Sequence, residues 1–214
     1  LGGAGLIVTT SGASAACTGS DGVYTCSGKI EKRQTLPDRV NGDLANPLKV
    51  TISEEGTTVD TSGTTGHDAF TLDSKAEITF EDKTTGATIT GANNGIQAIN
   101  SVSGGISITT TGTTTGTNRD GIDARNYGEG ALSITTTGTT RGITKDGISA
   151  TNSRGTDLTI NAAETEGGDG HGIFAVNNKR TGALSITTTG TTTGGRDGIY
   201  ARNSAAGTDL TINA

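Results

Sequence analysis

The second half of the chain repeats one phrase, Gly-Ile-x-Ala-x-Asn. It occurs at Gly95–Asn100, Gly121–Asn126, Gly147–Asn152, Gly172–Asn177 and Gly198–Asn203, in steps of 26, 26, 25 and 26 residues. A second phrase follows about ten residues later, and its apolar residues Ile106, Leu132, Leu158, Leu184 and Leu210 keep a constant step of 26. A fixed period of this length means stacked units: one unit has too few apolar groups to bury, so neighbours must share a core.

Inside the unit the apolar residues alternate. Ile96 and Ala98, or Ile122 and Ala124, are separated by single residues of other types, as are Leu132 and Ile134. That is the two-residue period of a strand. The Thr runs that follow are β-branched and suit a pleated surface. Gly112, Gly116, Gly138, Gly142, Gly190 and Gly194 interrupt them where the chain must turn. The expected fold is all-β, a right-handed parallel β-helix with coils of about 26 residues stacked at roughly 4.8 Å.

Upstream the pattern weakens. Phe70 and Leu72 precede Ile96 and Ala98 by 26 residues, and Leu48, Val50 and Ile52 prefigure Ile78 and Phe80 at a step of 28. The repeats therefore extend over residues 48–214, giving six to seven coils, and residues 1–47 read as an N-terminal cap. The array stops at Ala214 directly after a strand, which reads as a solenoid cut inside its repeats.

The Asn column, Asn100, Asn126, Asn152, Asn177 and Asn203, fits a ladder of side-chain amides, since each amide carries both donor and acceptor. Asp120, Asp146 and Asp197 each stand before the Gly of the repeat, a turn position that suits a short carboxylate. Cys17 and Cys26 are the only cysteines and bracket Asp21-Gly22, a hairpin signal, so a disulfide across a hairpin is expected. Such a bridge implies an oxidising compartment. Free thiols or a metal site are the alternative, with His67 and His171 both distant in sequence.

Composition narrows the function classes. With 35 Gly, 3% aromatic residues and no Trp or Met, the chain lacks the bulky core of a globular enzyme. A net charge of -6 argues against general nucleic-acid binding, which needs a basic face. No apolar run reaches membrane-spanning length. No cofactor or metal is expected.

A β-helix enzyme that cleaves polysaccharides would need paired carboxylates on one exposed strand column. The exposed column reads Gln97, Asp123, Ser149, Phe174 and Tyr200, and its neighbour reads Ile99, Arg125, Thr151, Val176 and Arg202. Neither contains an acid pair, so no catalytic residue is assigned. A Gly-Asp-Ser-Gly protease motif is missing. Asp169 and His171 could form a metal or acid/base pair, but a loop is the preferred reading. The segment 164–170 replaces a Thr run with acidic and Gly residues and is one residue short, marking an exposed arc.

On a solenoid, function lies where repeats differ. Two surfaces qualify as candidate receptor-binding sites. One is the strand face carrying Phe174 and Tyr200 with Arg125 and Arg202, residue types enriched at binding hot spots. The other is the basic cluster Lys29, Lys32, Arg33 and Arg39, suited to an acidic receptor or sulfated glycans. A solvated face is the plain alternative for both.

The Cys-x8-Cys-Ser-Gly segment at Cys17, Gln34-Thr35-Leu36, Pro47-Leu48-Lys49-Val50-Thr51-Ile52, Asp68-Ala69-Phe70-Thr71-Leu72 and the repeated Leu-Ser-Ile-Thr-Thr-Thr-Gly together resemble the passenger domain of Gram-negative autotransporters. Within that family the chain is most similar to the Bartonella angiogenic factor A type. The resemblance implies a secreted or bacterial cell-surface location and a non-catalytic virulence ligand. Its implied partner is vascular endothelial growth factor receptor 2 on endothelial cells. An adhesin for matrix or glycans is the alternative, followed by a polysaccharide-cleaving enzyme. The family's C-terminal translocator barrel, its only link to a membrane, has no counterpart in these residues.

Overall fold

The computed structural model describes residues 16–37, 47–178, 181–204 and 206–214. The described residues contain strands and no helix, wound into a parallel β-solenoid of about seven turns. Each full coil contributes one strand to a seven-stranded sheet that carries the Asn column. It then turns and contributes to a larger sheet, first with the Leu-x-Ile strand and then with the Thr-rich strand. In two coils these last two merge into the long strands Leu132–Gly142 and Leu158–Gly167.

The register follows the repeat. Ile96, Ile122, Ile148, Ile173 and Ile199 pair in sequence up the Asn-column sheet, and Ile106, Leu132, Leu158, Leu184 and Leu210 up the other. Their alternation sends Ile, Leu and Ala inward to one continuous core. A polar residue at these positions would lose apolar contact with the coils on both sides, because the interior is shared between neighbours.

Two expectations about the N-terminal part need adjustment. Leu48 pairs with Ile78 and Val50 with Phe80, a step of 30 where 28 was expected. That coil uses ten residues from Asp60 to Phe70 where the next uses six from Thr90 to Ile96, although Asp60 pairs with Thr90 and Phe70 with Ile96. The four extra residues sit in a turn, while Phe70 to Ile78 is two residues shorter than Ile96 to Ile106, so the step exceeds the following one of 28 by two and the ladders stay intact. Parallel pairing also begins before Leu48: Val23–Ser27, Lys29–Ile30 and Gln34–Pro37 stack on the coil that follows them. Most of the first turn thus lies inside the segment read as a cap. Phe70 and Phe80, edge to face with ring centroids 5.0 Å apart, fill the core here where Ile and Ala serve later.

Cys17 and Cys26 face each other across the antiparallel hairpin Ala16–Ser20 and Val23–Ser27 and are disulfide-bonded. Its turn holds Asp21 at φ 56° and Gly22 at φ 79°. Both residues being left-handed matches the twist of the flanking strands, which explains the Asp-Gly pair.

The Asn ladder forms in the middle of the stack. Asn126 Nδ2 donates to Asn152 Oδ1 at 2.9 Å, and Asn152 Nδ2 to Asn177 Oδ1 at 3.2 Å. Each amide also holds the turn that follows it, as Asn126 does by donating to the Gly130 carbonyl and accepting from the Gly128 N–H. Asn100 and Asn203 donate to loop carbonyls, Ser103 and Asp209 among them. Gly155 is required beside the ladder, since a Cβ there would collide with the amides of Asn126 and Asn152. Asn152→Ala should cost about 2–4 kcal/mol, because it strands buried partners on Asn177 and the Asp157 carbonyl. Asn203→Ala, half-buried, should cost less than half as much; denaturant midpoints of the two variants check the order.

Candidate functional site

The turn that leads into each Asn-column strand carries a second ladder. Asp68 Oδ1 accepts the Asn94 N–H at 2.9 Å, and Asn94 Oδ1 accepts the Asp120 N–H at 3.1 Å. Asp120 Oδ1 accepts the Asp146 N–H at 3.0 Å, and Asp146 Oδ1 accepts the His171 N–H at 2.7 Å. Asp197 completes the column one coil on. The Asp68, Asn94, Asp120 and Asp146 side chains thus each satisfy a backbone N–H of the coil after them, a role that Asp and Asn share and that needs only a short acceptor. Asp120 and Asp146, two of the expected Asp-Gly turns, are members of this longer series, and Asp197 holds the equivalent position one coil on without such a bond among the described residues.

Stacking carboxylates at strand spacing has an electrostatic cost. Asp120 is 5% exposed, and burial pushes its pKa up to about 6, with Asp123 and Asp146 adding repulsion and the Asp146 N–H opposing. Asp123 is fully buried, although its column was expected to face solvent. Arg125, two residues along the same strand, covers it with Nε to Oδ1 and Nη2 to Oδ2 contacts of 2.9 Å each. Burial still raises the Asp123 pKa, against the pull of the guanidinium.

His171 is where the column changes character. Its ring lies 5.7 Å from Phe174 and 5.3 Å from Tyr200, and those two rings stack at 5.1 Å with planes 5° apart. His171 Nδ1 is 3.1 Å from Asp197 Oδ2, off the line of a hydrogen bond but within ion-pair distance when the imidazole is protonated. Phe174 is half-buried and Tyr200 is 40% exposed. Beside them opens a cavity of about 300 Å³ lined by Lys145, Asp146, Asp169, His171, Phe174 and Arg196, with Thr144 and Gly170.

The coil that carries His171 and Phe174 also departs from the repeat elsewhere. The coil is one residue short, and the register shift places the loss opposite Thr137–Gly138 of the coil before, upstream of the acidic arc 164–170. In the turn, the Gly195 and Arg196 N–H groups bond the Gly167 and Gly170 carbonyls. The turn above is one residue shorter, so its N–H groups pass over the Gly168 and Asp169 carbonyls, and Asp169 stands out to solvent. Gly170 must be glycine: a Cβ would strike the Asp146 carboxylate and the Lys145 backbone. Asp169 and His171 both lie in the turn between Leu158–Gly167 and Ile173–Asn177, as the loop reading has it, and the His171 imidazole packs with the aromatic pair.

The other candidate residues separate. Arg202 is exposed beside Tyr200 and donates to Asn178 Oδ1 at 2.9 Å. Arg125 keeps its place on the face but commits its charge to Asp123. Lys29, Lys32 and Arg33 are exposed on the first turn, where Lys29 pairs with Glu31 at 2.8 Å and that carboxylate raises its pKa. Arg39 lies outside the described residues. Six coil steps, on the order of 29 Å at strand spacing, separate the first and last strands of the Asn-column sheet, so the two candidate surfaces are distinct. Among the described residues no three His, Cys, Asp or Glu side chains are grouped to hold a metal.

No protein-family profile, curated protein or solved structure matches the chain.

The Asp120 environment fixes a pH dependence. A carboxyl whose folded pKa of about 6 exceeds its ordinary 3.8 stabilises the fold fully below pH 3.8 and loses that contribution as pH rises through 6. Asp120→Asn keeps the acceptor for the Asp146 N–H, as Asn94 does one coil earlier, and removes the charge. The variant should melt several degrees above the parent at pH 7.5, with the gain shrinking steadily toward pH 4 in a thermal-unfolding series.

Proposed function

We propose that the protein is a non-catalytic extracellular ligand that binds a host cell-surface receptor through the outer face of the Asn-column sheet, centred on Phe174 and Tyr200. The observation that carries this reading is the stacked, partly exposed ring pair beside Arg202, whose guanidinium faces no carboxylate among the described residues. Rigid aromatic rings next to an arginine are the groups that dominate binding energy at protein interfaces, because they bury large area with little loss of side-chain freedom.

The disulfide-bonded hairpin supports an oxidising, extracellular setting. The resemblance of the repeats and hairpin to autotransporter passengers supports secretion or display at a bacterial surface. It also makes vascular endothelial growth factor receptor 2 the partner to test first, with pro-angiogenic signalling as the outcome. The carboxylates of the turn column are occupied in accepting backbone N–H groups, which favours binding over acid/base chemistry.

The test is receptor phosphorylation in endothelial cells exposed to purified protein, with ectodomain binding measured in parallel. Tyr200→Ala combined with Arg202→Glu should weaken ectodomain binding at least tenfold while leaving the melting temperature within about two degrees. Retained binding in that variant would remove this face from the interface. Charge reversal at Lys32 and Arg33 probes the other surface: loss of binding there, at unchanged stability, would move the contact to the first turn. Surface adhesion without receptor phosphorylation would favour the adhesin reading.

A further inference from the structure

The cavity beside Phe174 has three properties that no stacking role requires. First, Phe174 has a coil on either side. Tyr200 covers one face of its ring from the coil after it, but the matching residue in the coil before it is Ser149, too small to cover the other. Second, Lys145 and Arg196 are both exposed, and neither side chain makes an ion pair or hydrogen bond among the described residues. Third, the carboxylates differ in commitment. Asp146 holds the His171 N–H and Asp197 lies against the His171 ring, whereas the Asp169 side chain is exposed and without such a partner.

The lining groups that make no ion pair or hydrogen bond are therefore the Phe174 ring, two cations and one carboxylate around a space of about 300 Å³. An aromatic face, negative at its centre, attracts the weakly positive C–H groups on one side of a sugar ring. A carboxylate with free lone pairs accepts sugar hydroxyls. The two cations suit a carboxylate or sulfate. With Asp146 counted beside Asp169 the lining carries two cations and two carboxylates, so a single anionic substituent is held only where it sits against Lys145 and Arg196, and a polyphosphate is excluded. The volume is at the lower end for small-molecule sites and suits one or two sugar rings.

We propose that this corner is a binding subsite for an acidic saccharide, with Phe174 stacking on a sugar ring, Lys145 and Arg196 holding its carboxylate or sulfate, and Asp169 accepting hydroxyls. The subsite adjoins the receptor-binding face and shares Phe174 with it. It stands on the cavity alone and does not require a particular receptor.

The experiment titrates the intact protein with three probes: digalacturonate, its dimethyl ester, and a sulfated disaccharide derived from heparin. Ring resonances of Phe174 and Tyr200 are followed by NMR, and affinity by calorimetry. The expected result is saturable binding of one or both acidic probes, with ring shifts, at least tenfold tighter than the ester. Binding of digalacturonate alone assigns the anion as a carboxylate, and binding of the heparin disaccharide alone assigns it as a sulfate. Lys145→Ser with Arg196→Ser, both at exposed positions, should abolish that preference without shifting the melting temperature. Equal binding of acid and ester, no binding of any probe, or full binding by the double variant would each overturn the proposal. Arg202→Glu separates the two readings, because it should weaken receptor binding and leave saccharide affinity unchanged.

Discussion

A coil of about 26 residues cannot bury its own apolar side chains, and everything else in this structure follows from that constraint. Within the stack the inward Ile, Leu and Ala pair in register with their equivalents in the neighbouring coils, so the core is a set of columns. Columns demand identity of register more than identity of residue. The stack therefore tolerates Phe70 and Phe80 in one part and Ile with Ala in another, but it cannot tolerate a slipped strand, which would turn the apolar set outward.

That constraint also explains which features could be read from the amino-acid sequence. The strand period, the coil length, the Asn column and the hairpin bridge repeat the same contact or sit in local turn signals, so they are visible as spacing. The burial of Asp123 was not visible, because it depends on how the Arg125 side chain lies across its neighbour. The step of 30 at Leu48 was misread for a different reason: inserted residues in a turn shift the count without touching the ladder. His171 escaped notice as a member of the Asp column because the shared role belongs to its backbone N–H, while its ring does something new. The signal was present in its spacing of 25 residues from Asp146 and 26 from Asp197.

The corner around the Phe174 cavity is built from departures of small size. One imidazole in place of a carboxylate, one phenylalanine in place of a small polar residue and one glycine at Gly170 border a cavity on an otherwise regular edge. A solenoid tolerates such changes, since each perturbs only the neighbouring coils. The same economy separates the first-turn basic cluster from the aromatic face, leaving them as independent surfaces.

The turn column has a direction. In every rung from Asp68 to His171 the earlier coil supplies the side-chain acceptor and the later coil supplies the backbone donor. A finished coil thus presents its oxygen atoms before the residues that need them have arrived, and the next length of polypeptide meets a prepared template. Assembly can proceed vectorially, one coil at a time from the amino-terminal end, with no partly built state in which those donors must wait for a partner from behind.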